Sequence, residues 1–555
     1  MGLTSFGHDE GFSLALRSKL TNTRFSEPQG TRLSKREMMK MRRVSPASKS
    51  HEMRRKLLRA ILNDEDFHPE RGNATFERIT EVLQETMKKD DADYVTETLT
   101  DYCKAKGCTI RNRRQEVSEI QGKSISTRLL QLKARRKISQ TQLDRTIQML
   151  QDAEISSSEA IDTHRAHKIP VSLLEEDVIP VRGEGVWIID TKGRRYMDVD
   201  SNYSAANLGY ANPTIAKALF NQANLLITMK EDRVQIPRTR LMKELLPILP
   251  KGLDQFYWQN SGGEAVDKSL KIAKAYTKQR GVISMIGSFH GRTHGAIAVT
   301  YNPAYREPFG LQNESWVRFI QFNDSDALER ALKEGKEKIV IMELVQGEEA
   351  GIRPASKEYA KRARELCDEQ DALLIVDEVQ TGFGRTAMKE GQWWASDYYE
   401  LSPDIMAIGK SYGGGFPVTS VVTKEHISKA MKPGYDGSTF GGNPLAMVSA
   451  TVAVRQMRRA NITRNVAERG AQLMKGLENI KSPLIQSIRG LGLMVGIDLP
   501  SVDHVRMLQE KLKTYGVVSS LSTKNTVRLM PPTIISKKET DTLLKSLQTA
   551  FADLM

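Results

Sequence analysis

Leu374-Ile375-Val376-Asp377-Glu378-Val379-Gln380-Thr381-Gly382-Phe383-Gly384-Arg385-Thr386, continued by Ile408-Gly409-Lys410, is the stretch on which the fold of this 555-residue chain turns. Residues 372–376 form a short apolar run with the β-branched content of a strand buried on both faces. An acidic side chain at the carboxyl end of such a strand lies where open α/β sheets bind ligands. Lys410 follows Asp377 by 33 residues and ends the next apolar run, residues 405–408, so it points toward the same crevice. Each residue alone is bland: an Asp at a strand end is more often a loop cap, and a Lys after Gly is more often solvated.

Outward from this stretch the pattern repeats. Residues 281–286 and 339–342 are further apolar runs, separated by helical patterns such as residues 357–370, which predicts a mostly parallel sheet covered on both faces, an α/β fold. Residues 183–190 and 192–199 read as two short strands around a turn. The last hundred residues or so mix helical patterns (446–457, 466–477, 502–515) with strands (494–497, 527–530), as a second, smaller α+β domain does.

An Asp and a Lys so placed suit a pyridoxal phosphate site, the carboxylate keeping the pyridine nitrogen protonated and the lysine holding the aldehyde as a Schiff base. Other segments supply the remaining parts. Ser261-Gly262-Gly263-Glu264 precedes a helical pattern over residues 265–276, with Ser261 and Glu264 spaced as a capping box. Its small residues let backbone N–H groups approach an anion at the positive end of the helix, although an ordinary Gly-rich helix start has the same text. Phe289-His290-Gly291-Arg292-Thr293 places an aromatic face and a guanidinium at another strand end, where Phe289 can cover a planar ring and Arg292 can take a carboxylate in bidentate fashion.

Six motifs in order, Asn260 to Ala265, Phe289 to Thr293, Val345-Gln346-Gly347-Glu348, Asp377 to Thr386, Gly409-Lys410 and Gly437-Ser438-Thr439-Phe440-Gly441-Gly442-Asn443-Pro444, give residues 171–544 a resemblance to the class III, or ornithine and 4-aminobutyrate type, aminotransferases of fold type I. It covers about two thirds of the chain. The resemblance implies a large parallel-sheet domain that binds pyridoxal 5'-phosphate (221–448) and a smaller α+β domain from residues 161–220 and 449–555. It implies that Lys410 forms the internal aldimine and moves protons, Asp377 pairs with the pyridinium nitrogen, and Gln380 bonds the phenolic oxygen. Val379 and Phe289 would sandwich the ring. Gly262 and Gly263 would hold the phosphate, helped by Thr439 of a second subunit, which makes the expected assembly a homodimer with shared sites. Arg292 and Arg528 match carboxylate grips, and Glu348 matches an acidic gate on Arg528. The implied reaction moves an amino group from a small-molecule amine donor to a keto or aldehyde acceptor, 2-oxoglutarate being common in the family.

This chain departs from the family text in places. It has Glu343-Leu344 where Glu-Pro is usual, an extra acid in Glu348-Glu349-Ala350-Gly351, and Asp200-Ser201-Asn202-Tyr203-Ser204-Ala205-Ala206 in place of a Ser-Gly pair, which makes Tyr203 a candidate pocket residue. An epimerase, mutase or decarboxylase on the same scaffold stays open as the alternative, with a catalytically silent binding protein behind it.

Nothing before about residue 160 fits that pattern. The formal net charge is +14, yet residues 1–150 alone hold 30 basic and 20 acidic side chains, so the basicity is local and gives the whole chain no nucleic-acid or lipid role. Residues 1–50 read as a basic tail, and residues 51–160 as an all-α accessory region with apolar residues at helical spacing, such as Ile79, Val82, Leu83 and Met87. Its basic clusters, residues 111–114 and 133–137, read as solvated helix faces; a protein partner for these helices stays open, and nucleic acid is disfavoured for want of interleaved aromatics. Cys103, Cys108 and Cys367 are too few for a disulfide framework and make no zinc set. With no apolar run of about 18 residues to span a bilayer, the expected location is the cytoplasm, the Arg- and Ser-rich start leaving the mitochondrion as the alternative.

Overall fold

The computed structural model describes residues 155–520 and 525–555. The expected tail, most of the accessory helices, Cys103, Cys108 and both basic clusters therefore lie outside the described residues. Residues 1–173 and 174–555 form two compact units. In the first, the Ser-rich segment at 156–158, which reads as a joint, starts a helix instead: Ser156 caps Ser157–His167 by accepting from the Glu159 N–H at 3.1 Å.

The second unit opens with the antiparallel strands β1 (Pro180–Glu184), β2 (Trp187–Asp190) and β3 (Arg195–Asp198). The strands β4 (Gln255–Gln259), β5 (Gly281–Met285), β6 (Val317–Ile320) and β7 (Glu337–Met342) follow, then a two-residue pair, β8 (Val345–Gln346) and β9 (Arg353–Pro354). Next come β10 (Leu373–Asp377), β11 (Ile405–Ile408) and β12 (Thr419–Thr423). The chain closes through β13 (Ser487–Leu491), β14 (Met494–Asp498), β15 (Val517–Val518) and β16 (Thr526–Leu529). The seven-stranded main sheet has the order β4-β12-β11-β10-β7-β5-β6. Its strands pair in parallel except around β12, which runs antiparallel to both β11 and β4. Two smaller sheets, β1-β2-β3-β15 and β13-β14-β16, build the lesser lobe from both ends of the unit.

Period-two alternation explains why the central strands are apolar throughout. On β7 and β10, Ile339, Ile341, Leu373 and Ile375 face the helix Gly262–Thr277, while Val340, Met342, Leu374 and Val376 face Lys357–Glu369. The first helix buries Ala265, Val266, Ser269, Leu270, Ile272 and Ala273, one stripe at helical spacing. Each large side chain so buried contributes about 1.5–3 kcal/mol. All of β10, including Asp377, is buried, and the parallel register sets Asp377 opposite Ala407 of β11, three residues before Lys410. No helix among the described residues is long and apolar enough to cross a membrane.

Leu374 is fully buried at the centre of this sheet. Leu374→Ala is expected to cost about 2–5 kcal/mol through the cavity it leaves, seen as a lowered thermal midpoint. An unchanged midpoint would contradict the packing of that face.

Candidate active site

At the carboxyl end of β10, Asp377 is fixed from two sides: His290 Nδ1 lies 2.9 Å from its Oδ2, and the Val379 N–H donates to its Oδ1 at 3.1 Å. His290 Nε2 is buried with no hydrogen-bond partner among the described residues. Lys410 follows β11 at the start of a short 3-10 turn, with φ +46°, a left-handed conformation that non-glycine residues adopt at a cost of about 1–3 kcal/mol. Among the described residues no carboxylate forms an ion pair with its Nζ. Burial lowers the Lys410 ammonium from its ordinary value, while Glu348 and Asp377 oppose that fall.

Glycines bring the remaining walls close. A Cβ on Gly262 would sit 3.1 Å from Val379 Cγ1, and one on Gly409 would meet the same methyl at 3.1 Å, so helix start, loop and lysine converge on Val379. Gly291, at φ +127°, packs so tightly that a Cβ there would lie 2.6 Å from Gly263 Cα. The capping box is present: Glu264 Oε2 accepts from the N–H groups of Asn260 and Ser261 at 3.0 and 2.8 Å. The amides of Gly262 and Gly263 come next, at the helix end where an anion is favoured.

Two arginines stand in different states. Arg528 on β16 is buried and ion-paired with Glu348 from the β8–β9 loop, and it also donates to Gly347 O at 3.3 Å and Ser520 Oγ at 3.0 Å. Burial pulls its guanidinium down, but Glu348 and Asp200 outweigh this and raise it. Arg292 is exposed and lies over aromatic faces, 3.6 Å from the centroid of Tyr305 and 5.4 Å from that of Phe289. Among the described residues it has no carboxylate partner.

Tyr203 sits on a turn in which Ser201, Asn202, Tyr203 and Ser204 all have positive φ, 48°, 52°, 53° and 71°. Left-handed backbone costs non-glycine residues about 1–2 kcal/mol each. The cost is offset by Asp198 accepting from the N–H groups of Asp200 and Ser201, by Ser201 Oγ donating to Met530 O, and by Asp200 accepting from the Tyr203 N–H. Gln380 Nε2 reaches Tyr203 O at 3.4 Å, Ser411 beside Lys410 donates to Ser204 O at 3.2 Å, and the Tyr203 ring centroid lies 6.0 Å from the Arg528 guanidinium.

Thus Lys410, Asp377, Gly262, Gly263, Val379, Gln380, Glu348, Arg528 and Tyr203 are brought together, with Phe289 and Arg292 at the adjoining edge. Thr439 is not: it lines a separate groove of about 640 Å³ with Asn260, Glu264, Lys268 and Trp316. Two residues near the centre carry no role in the sequence reading. His290 lies inside a quoted motif, but only the folded chain brings it to Asp377. Glu343, read as part of a departure, is buried and accepts from the Phe289 N–H at 2.8 Å; burial, then the Asp377 charge, raises its carboxyl well above the ordinary range.

The aminotransferase class-III family matches residues 172–551. The chain belongs to the class-III aminotransferases. It is 38% identical over 378 residues to a [LysW]-aminoadipate semialdehyde transaminase of Deinococcus radiodurans, covering 67% of this chain and 86% of that one. It is 36% identical to an acetylornithine aminotransferase of Archaeoglobus fulgidus, covering 66% and 93%. Among solved structures, the ornithine aminotransferase of Toxoplasma gondii superposes with a TM-score of 0.67 at 28% identity, covering 72% of this chain and 96% of its own. The fold is that of the type I pyridoxal-phosphate enzymes, and the cofactor of this aminotransferase is pyridoxal 5'-phosphate.

The residues present fit that cofactor. A buried carboxylate held by two donors suits a ring N–H, the crowding at Gly262 and Gly409 leaves a flat slot against Val379, and helix-start amides suit a phosphate. His290→Phe removes a buried hydrogen bond to the Asp377 carboxylate group, so cofactor retention in dialysis should weaken about 10- to 100-fold. Unaltered retention would show that His290 does not support Asp377.

Proposed function

We propose that this aminotransferase takes donors in which the reacting amine is remote from a carboxylate, as in the ornithine, acetylornithine and aminoadipate semialdehyde types, and passes the amino group to 2-oxoglutarate. The observation that carries this reading is the contrast between the two arginines, one uncovered and one covered by Glu348. A donor bearing a single distal carboxylate is held by Arg292 while Glu348 keeps Arg528 neutralised. A dicarboxylic acceptor needs a second cation, and it obtains one when Glu348 yields Arg528.

When bound, the cofactor would supply an electron sink that weakens the C–H bond at the donor carbon bearing the reacting amine. Asp377 would hold its ring nitrogen, Gly262 and Gly263 its phosphate, Val379 and Phe289 its ring faces, and Gln380 its phenolic oxygen. Lys410 Nζ accepts the proton from the donor carbon and returns it on the other side of the transfer. Its lowered ammonium favours this work, because a larger share of the side chain is neutral amine near neutral pH. Burial, and then the Asp377 charge, raise the Glu343 carboxyl above the ordinary glutamic acid range, which disfavours a second negative charge beside Asp377.

Thr439 belongs in this reading to a second copy of the chain. Phe440 is exposed and lines the same groove, and a partner copy seated there would bring Thr439 to the opposite phosphate site. The assembly is then a homodimer with shared sites, which light scattering checks directly.

A donor screen tests the reaction: one equivalent of carbonyl product should appear per site when no acceptor is present. Turnover of an amine without any such product would favour epimerase, mutase or decarboxylase chemistry instead. Lys410→Ala should abolish the visible absorbance of covalently held cofactor. In the unaltered protein the rate of covalent attachment should rise with pH and level off below the ordinary lysine value of about 10.4, since the neutral amine is the nucleophile; a rise continuing through that value would contradict the lowered ammonium. Glu348→Gln uncovers Arg528, so the preference for glutamate over a donor with one distal carboxylate should increase roughly tenfold in kcat/KM.

A further inference from the structure

Residues 433–442 hold Gly434, Gly437, Gly441 and Gly442 and lie in no helix or strand. Glycine loses more backbone freedom on ordering than any other residue, so such a segment keeps one shape only where side chains pin it. The segment carries Thr439, which is exposed and whose hydroxyl makes no hydrogen bond among the described residues. Where that hydroxyl sits is therefore decided by its neighbours.

Both ends of the segment are pinned. At the far end Arg238 Nη2 donates to Gly442 O at 3.2 Å, and Gly441 packs against Trp258 O too closely to admit a Cβ. At the near end the Asp436 side chain turns inward, 8% exposed, and meets two cations of the helix Gly262–Thr277. Lys268 Nζ lies 2.5 Å from its Oδ1 and Lys271 Nζ 3.1 Å from its Oδ2, while the Gly437 N–H donates to Oδ1 at 2.8 Å. Lys268 is confined in turn, its ammonium 5.9 Å from the Tyr257 ring centroid. Burial pushes the Asp436 carboxyl up, but Lys268, the Gly437 amide and Lys271 outweigh it and hold the group below the ordinary carboxylate range. An ion pair so enclosed is screened by salt less than one in open solvent.

The three-residue spacing puts Lys268 and Lys271 on one face of that helix, and the helix begins with Gly262 and Gly263. One helix thus has two duties. Its first amides face the phosphate site of its own chain, and its flank holds the segment that carries Thr439.

We propose that Asp436, gripped by Lys268 and Lys271, is a positioning residue for the cofactor of the partner subunit: it fixes the segment that presents Thr439 to the phosphate across the dimer interface. The inference rests on the reading that Thr439 serves the phosphate site of a second copy, and it assigns the side chains that keep Thr439 there.

The test uses the full-length protein and titrates it with pyridoxal 5'-phosphate and, separately, with pyridoxal, which lacks the phosphate. Each Kd is followed by the visible absorbance of the Schiff base, and light scattering gives the mass of each variant. Thr439→Ala should raise the Kd of pyridoxal 5'-phosphate about 10- to 100-fold, the span of a hydrogen bond to a charged group. Asp436→Asn should raise it about 3- to 10-fold, at and above the upper end for exposed ion pairs, and should add nothing on a Thr439→Ala background. Lys268→Met should give part of the Asp436→Asn shift and add nothing to it. The Kd of pyridoxal should be indifferent to every variant, and each should keep the mass of a dimer. Additivity with Thr439→Ala, equal weakening of pyridoxal, or an Asp436→Asn chain that runs as a monomer would each overturn the positioning role. If that role alone fails, Thr439→Ala weakens the phosphate cofactor while Asp436→Asn does not. If the underlying reading fails, Thr439→Ala itself changes nothing or the unaltered chain is a monomer, and the proposal falls with it.

Discussion

The parallel pairing of β10 with β11 is the constraint on which the rest of the site depends. It sets Asp377 opposite Ala407 and leaves Lys410 just beyond the end of the neighbouring strand. Two groups far apart in sequence thereby share one crevice, and a one-residue slip would exchange the side chains fitted to one helix layer with those fitted to the other, which the packing of both faces opposes. Gly409 and Gly262 matter because both lie against Val379: a Cβ at either would sit 3.1 Å from its Cγ1, so the absence of a side chain lets the helix start and the lysine turn close on the same residue.

The lesser lobe is tied to this crevice by a buried cation. Arg385 is fully buried, and it donates to the carbonyls of Leu493 and Pro531 and to Asn207, with a longer contact to Ser201. Burial lowers its guanidinium to about 9, and no carboxylate among the described residues pairs with it directly. Its donors are spent instead on backbone carbonyls beside the Arg528 strand and on the residues that begin and follow the left-handed turn. That turn is affordable only because Asp198, Met530, Gln380 and Ser411 all bond to it. Strain and clamp together hold Tyr203 near Arg528.

The two arginines show how differently the fold can surround like residues. Arg528 is buried, so Glu348 must balance its charge, and any ligand that takes it must displace a carboxylate. Arg292 is exposed and rests on aromatic rings, with no ion pair to a carboxylate among the described residues. Two adjacent glutamates turn to different partners: Glu348 toward Arg528, and Glu349 inward toward Asn302.

The sequence by itself determined the element types and the principal chemistry, because both are local. Apolar runs of strand length, the capping box at Ser261 and Glu264, and the strand-end positions of Asp377 and Lys410 depend on neighbours a few residues away. Some local text misled, as where Ser156 caps a helix that Ser157 and Ser158 begin. The tertiary structure alone decided what met across long separations: His290 with Asp377, 87 residues apart, Arg528 with Glu348, 180 apart, and Glu349 with Asn302, 47 apart. It also decided that Ser201–Ser204 would adopt a left-handed turn, which local preference opposes. The physical reason is common to all of these. A charge or a phenol carries no periodicity that names its partner, and only the packing of strands and loops fixes the distance over which electrostatics and hydrogen bonds act.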